Sequence, residues 1–211
     1  MIKEYNSNIK SPSENTLVDI KSYQGNIGNH ILNFAKEITI QHNGNYQKLV
    51  VNDGYILIVA LVNDIRLDLF GFKWKINQNQ SFIYYVEAGT ELIIEGSDEE
   101  VESTFYFLSL NLPSQKLEKV LVPNILEKEN RLNKICRHQL FNIYLGKFGL
   151  TKKGELPLKK KDRSWIVFSL DGVFTIYNQY LEHGNVLHLN TNEFISFESL
   201  STESLIMAIE F

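Results

Sequence analysis

The sequence of 211 residues is short of cysteine, proline, histidine and net charge. Its single cysteine, Cys136, excludes an intramolecular disulfide and any cysteine-rich zinc site. Four prolines leave most of the chain free to form regular structure. A formal charge of −4 and an isoelectric point near 5.8 argue against a general nucleic-acid binder, which would be basic. No apolar run approaches ~18 residues, so no membrane partner is expected. The polar N-terminus, MIKEYNSNIKSPSENT, does not read as a signal peptide, and a cytoplasmic protein is expected. There is no G-x-S-x-G. GNIGNH (25–30) lacks the Lys-Ser/Thr of a phosphate loop and reads as a turn.

What is present is apolar and aromatic: 44% hydrophobic residues, with 13 Phe and 10 Tyr. The run KLVVNDGYILIVALVND (48–64) is apolar at both alternating positions, as in a strand covered on both faces by its own barrel and by a second layer. Short apolar runs alternate with Gly, Asn and Asp turn signals. They predict strands at 31–40, 55–62, 66–74, 81–86, 91–96 and 103–110, and again at 140–150, 164–170, 173–178, 184–189, 193–198 and 204–211. Between the sets, Pro113 and Pro123 bracket a charged, Leu-spaced segment. The halves share a hydrophobic pattern: YILIVALVNDIRLDLF matches WIVFSLDGVFTIYNQYL, and LIIEGSDEEVESTFYFLSL matches FISFESLSTESLIMAIEF. The expected fold is all-β, two tandem jelly-roll barrels. The expected organisation is an N-terminal arm (1–30), a first barrel (31–112), a partly helical linker (113–137) and a second barrel (138–211).

DGVFTIYNQYLEHGN (171–185) resembles the C-terminal barrel of the pirin and quercetin-dioxygenase-like bicupins, with Gly172, Phe174-Thr175-Ile176, Asn178-Gln179, Leu181 and Gly184-Asn185 at the matching places. HQLFNIYLGKF (138–148) and TFYFLSLNLP (104–113) resemble the entry to the second barrel and the end of the first. AGT (88–90) and NLP (111–113) support the likeness in the first half. The resemblance implies a His-x-His on one first-barrel strand and a His-x-Glu after A-G-T, holding a transition metal. Carried over, those positions fall on Leu49 and Val51, and on Ile94 and Gly96, none of which offers a ligating side chain. Glu95 is one residue off, on the opposite face of a strand. If Leu49 and Val51 face inward, so do Tyr55, Leu57, Val59 and Leu61, which fill the space with hydrocarbon. In the second barrel the corresponding positions fall near Lys159, Lys161, Trp165 and Ile195.

No cofactor is therefore expected, and a transition metal only if this mapping is wrong, with His42, Glu95 and His188 as substitute ligands. His30, His138 and His183 read as structural. Tyr55, Leu57, Tyr84, Tyr106 and Trp165 are candidate pocket-lining residues for a small apolar or aromatic ligand, against the competing reading of ordinary core packing. Cys136 has no partner set for a nucleophile. The basic stretch 152–163 and the acidic stretch 97–102 read as solvated surface. Three functions compete: a metal-free binding or regulatory bicupin; an enzyme, either a quercetinase-like dioxygenase with a displaced metal or a metal-independent isomerase using Tyr or His; and an interaction module that forms a homodimer through its sheets.

Overall fold

A computed structural model describes residues 2–5, 9–10, 18–23, 32–42, 44–97, 101–114, 121–123, 129–157, 163–190 and 193–211. Among them there is no helix. In chain order the strands are β1 (Ile2–Tyr5), β2 (Ile9–Lys10), β3 (Val18–Tyr23), β4 (Leu32–Ile40), β5 (Asn45–Leu49), β6 (Gly54–Val62), β7 (Ile65–Leu69), β8 (Phe72–Ile76), β9 (Gln80–Val86), β10 (Glu91–Gly96), β11 (Ser103–Leu110) and β12 (Leu121–Pro123). They continue with β13 (Asn133–Arg137), β14 (Asn142–Phe148), β15 (Lys153–Glu155), β16 (Trp165–Asp171), β17 (Phe174–Ile176), β18 (Gln179–Leu181), β19 (Val186–Leu189), β20 (Ser196–Ser199) and β21 (Ser204–Glu210).

The chain divides into two compact units. Residues 8–123 form one, with a seven-stranded sheet in the order β12-β9-β6-β11-β4-β3-β2 and a four-stranded sheet β5-β10-β7-β8. All pairings are antiparallel, and one core draws on both sheets, with Ile38, Ile58 and Phe105 from the first and Leu67, Leu92 and Ile94 from the second. Residues 1–7 and 124–211 form the other unit, with sheets β1-β19-β16-β21-β14-β13 and β15-β20-β17-β18. Its core includes Trp165, Phe174 and Phe197, and Phe148 sits edge-on to both phenylalanines. The expected pair of β units is therefore present.

Three sequence expectations need correction. Parts of the presumed arm are strands: β1 pairs with β19, and β3 pairs with β4, placing Val18 in the first core. Its polar composition hid edge pairing, which uses backbone groups and needs few apolar side chains. The presumed linker contains β12, on the edge beside β9, and β13, beside β14. Residues 115–120 and 124–128, where a helix was expected, lie outside the described residues, as do His30, Lys159 and Lys161. The run 66–74 is a hairpin rather than one strand. Phe70 and Gly71 both take positive φ, 56° and 75°, at its tip. Such turns favour Asn, Asp or Gly first, so a phenylalanine there gave no turn signal.

The opening run also splits. Asn52-Asp53-Gly54 separates β5, in the smaller sheet, from β6, in the larger. The loop is bound to the 87–90 turn: Val50 N donates to the Thr90 carbonyl, Gly89 N to the Val50 carbonyl, and Ala88 N to Asp53 Oδ1. Gly54 is required because a Cβ there would lie 2.2 Å from the Leu110 carbonyl oxygen.

Candidate ligand site in the first barrel

Successive strand residues face opposite sides of a sheet, so burial and core membership fix which side chains point into the barrel. On β4 the inward set is Phe34, Lys36, Ile38 and Ile40; on β11 it is Phe105 and Phe107. On β5 it is Tyr46 and Lys48, and Val50 follows on the same side. Leu49 and Val51, expected to face inward, are 57% and 68% exposed, whereas Val50 is 5% exposed. The correction has a physical cause. The inward residues are even-numbered on both sides of the loop, Tyr46, Lys48 and Val50 before it and Ile56 and Ile58 after it, so the alternation carries through. The starting assignment of Leu49 and Val51, taken from the family resemblance, is one residue off, and a one-residue slip turns every side chain to the other face.

The same error displaces two candidate pocket residues, and a third, Tyr106, lies on the same side as they do. Tyr55 and Leu57 are fully buried, but Ile56 and Ile58 are the neighbours that belong to the barrel core. Tyr55 and Leu57 occupy the opposite face of the large sheet, where Tyr55 meets Tyr85 edge-on at 5.3 Å. Tyr106 shares that face and donates a 2.7 Å hydrogen bond to Glu37 Oε2. Tyr84 does pack against the first core, stacked on Phe82 at 6.0 Å. Trp165 lies in the second core beside Tyr144.

The other mapped positions behave differently. Ile94 points into the barrel, fully buried, opposite Tyr46 on β5, and Gly96 ends its strand half-buried. Glu95 is exposed on the outer face, in register with Asn45 and Arg66. His42 is exposed in the turn after β4. His188 belongs to the other unit, outside its core, with its ring stacked on Phe211 at 5.9 Å. His42 and Glu95 thus lie in one unit and His188 in the other. Among the described residues no cluster of three or more His, Cys, Asp or Glu could hold a metal. Trp165 and Ile195, the mapped second-barrel positions within the described residues, are core hydrocarbon.

The inward residues that were not singled out from the sequence make a distinct site. Lys36 comes from the large sheet and Lys48 from the small one, and their ammonium groups lie 5.9 and 5.4 Å from the centre of the Phe34 ring. Each such contact contributes about 0.5–1 kcal/mol where partly exposed. Neither lysine makes an ion pair among the described residues. Burial lowers the Lys36 pKa, and the nearby Lys48 charge lowers it further. Phe34 meets Phe107 edge-on at 5.0 Å, and Phe107 meets Tyr46 at 6.0 Å. Tyr46 is 5% exposed, and its hydroxyl has no hydrogen-bond partner among the described residues. Burial pushes its pKa up to about 12. The signal was in the sequence: F-A-K-E-I-T-I and Y-Q-K-L-V place both lysines in phase with core residues.

Two other features are less specific. A surface cavity of about 390 Å³ on the outer face of the small sheet is lined by Arg66, Asp68, Lys73, Lys75 and Glu95. Its charges alternate in sign, and Lys75 already pairs with Asp64 at 2.8 Å. Cys136 is buried, which raises its thiol pKa to about 11 and leaves little thiolate at neutral pH.

No protein-family model matches the sequence, and no curated protein sequence does. Solved structures do match. The Escherichia coli protein YhhW superposes over 100% of this chain and 97% of its own, with a TM-score of 0.78 at 12% identity. A structure described as bacterial pirin YhhW of E. coli in complex with nickel(II) gives 0.77 at 14% identity, covering 100% and 99%. The fold is that of a pirin-like bicupin. A quercetin 2,3-dioxygenase from Acinetobacter baumannii shares it, with a TM-score of 0.73 at 11% identity over 99% of this chain and 85% of that one. Identities this low establish the bicupin fold and leave the chemistry to the residues of this chain. Those residues do not fit a metal. The inward positions beside the mapped sites are Lys48, Val50 and Ile94: one cation and two hydrocarbons.

Proposed function

We propose that this bicupin is a non-catalytic binding or regulatory protein that works without a metal and takes a small ligand in its first barrel. The observation that carries this reading is the inward face of β5, where Tyr46, Lys48 and Val50 stand opposite Leu92 and Ile94 of β10. A lysine ammonium repels a divalent cation, and buried hydrocarbon cannot replace its hydration shell. The metal-dependent dioxygenase reading would use His42, His188 or Glu95; against it, His42 and Glu95 are solvent-exposed, and the inward residues of β5 and β10 carry no imidazole or carboxylate. The isomerase reading needs a buried acid or base at the ligand, and the phenol of Tyr46, held protonated at neutral pH, is a poor proton acceptor there. The single, buried cysteine accords with a cytoplasmic protein.

Plasma mass spectrometry of freshly purified, tag-free protein tests this. Less than about a tenth of an equivalent of any transition metal is expected, because no inward donor set has the ligand types such metals require. One equivalent of nickel, iron, copper or zinc would overturn the reading.

A further inference from the structure

The proposed ligand has a chemistry that the barrel itself specifies. We infer that the Phe34–Lys36–Tyr46–Lys48 cluster binds a small aromatic carboxylate, its anionic group held by the two lysines and its ring set against Phe34. This inference rests on the metal-free reading above and adds the ligand class to it.

Three observations converge on one place. The first is charge. Two ammonium groups, one from each sheet, lie over the same ring. Burial, and after it the Lys48 charge, lowers the Lys36 pKa, and neither ammonium has an acidic partner among the described residues. Like charges held together cost free energy unless an anion relieves them. Glu37, the next residue along β4, faces the opposite side and accepts a hydrogen bond from Tyr106. The second is the unused donor. The Tyr46 hydroxyl is buried with no partner, a state that costs about 1–3 kcal/mol and that few native groups tolerate without a reason. It shares the inward face of β5 with Lys48. The third is the floor. Phe34, half-buried under the two ammonium groups, is braced edge-on by the buried Phe107, itself edge-on to Tyr46, and presents its ring to an aromatic body.

The bare carboxylate of a small metabolite would satisfy the lysines and leave the rings uncovered. A neutral aromatic would do the reverse. An aromatic carboxylate satisfies both, and the Tyr46 hydroxyl donates to an oxygen of the same ligand.

Titration calorimetry of the full-length protein, after its metal content is measured, decides the matter. The probes are benzoate, the uncharged benzamide, and inorganic phosphate. Benzoate is expected to saturate one site, with a dissociation constant of about 0.1–1 mM for so small a ligand. Benzamide and phosphate are expected to bind at least about tenfold more weakly, since each lacks one charged or apolar contact. Lys36→Met and Lys48→Met are each expected to weaken benzoate by about tenfold, with Lys48→Arg retaining most of the affinity. Lys75→Met, on the outer face, leaves binding unchanged. Equal binding of benzoate and benzamide, wild-type affinity in Lys36→Met and Lys48→Met, phosphate binding as tightly as benzoate, or no binding of any probe would each overturn the inference. Binding that a chelator abolishes in a metal-loaded protein would instead overturn the metal-free reading beneath it.

Discussion

Phe107→Ala is expected to lower the unfolding free energy by about 3–5 kcal/mol, the range for removing a large aromatic from a packed core. Phe107 is fully buried on β11, the strand between β4 and β6, and lies opposite Lys36 on one side and Ile58 on the other. Its ring is the hinge of the site, since both Phe34 and Tyr46 pack their edges against it. The loss therefore has two parts: the transfer free energy of the ring, and the contacts that Phe34 and Tyr46 lose across the cavity left behind. Phe107→Leu keeps much of the volume and is expected to cost roughly half as much or less. Urea unfolding checks both. A loss below about 1 kcal/mol for the alanine variant would mean that the barrel interior can collapse freely, and that Phe107 does not set the floor of the site.

Tyr46→Phe is expected to act in the opposite direction, stabilising the ligand-free protein by about 1 kcal/mol. The substitution removes a buried hydroxyl that has no partner and keeps the ring against Phe105 and Phe107. In a chain of this size the gain corresponds to a melting temperature higher by roughly 2–4 °C. The pH dependence follows from linkage. The phenol pKa is raised by burial to about 12, from an ordinary value of 10.0. The unfolded chain therefore loses this proton first, and the folded form is progressively destabilised as pH rises from about 10 to about 12. The phenylalanine variant has no such proton, so its advantage is expected to widen over that window. Thermal melts at pH 7 and pH 11 test the point. A destabilised variant at pH 7 would show that the hydroxyl makes a hydrogen bond that matters for folding.

These opposed signs carry a functional meaning. A protein that retains a buried hydroxyl with no hydrogen-bond partner and two half-buried ammonium groups with no acidic partner, among the described residues, gives up stability that simple substitutions would restore. Binding sites are where such sacrifices are found, because the groups a ligand will satisfy must stay unsatisfied without it. By contrast, the second core is satisfied internally. Phe148, Phe174 and Phe197 pack edge-to-face on one another, and Trp165 and Ile195 fill the positions that correspond to ligands in the resembled family.

Most of the fold was legible in the sequence. The alternation in STFYFLSL and ELIIEG placed β11 and β10 at their observed bounds, and the likeness between the halves anticipated two β units. The hairpin at Phe70-Gly71 was missed because a left-handed phenylalanine breaks the rule that makes such turns readable. The strands β1, at the edge of its sheet, and β3, between β4 and β2, were missed because backbone pairing near a sheet's edge leaves little hydrophobic trace. The site was missed for a different reason. Lysine reads as surface, and Lys36 and Lys48 are recognisable as inward only after each strand's phase is fixed by its own neighbours. For β4 those neighbours were available, since Ile38 and Ile40 are in phase with Lys36. For β5 the phase was taken from the family mapping onto Leu49 and Val51, which is one residue off, and the slip was then carried forward to Tyr55 and Leu57 of β6. The residues that do face inward there, Lys48 and Val50, carry no imidazole or carboxylate.

The phase of β5 is thus the claim on which the rest depends, and cysteine scanning measures it directly. Single cysteines at Gln47, Lys48, Leu49, Val50 and Val51 can be reacted with a thiol reagent under native conditions. The buried Cys136, with its raised pKa, supplies little background. Fast labelling at 47, 49 and 51 with protection at 50 and intermediate reactivity at 48 is the predicted pattern. Protection at 49 and 51 with fast labelling at 50 would place Leu49 and Val51 in the barrel, remove Lys48 from it, and contradict the account.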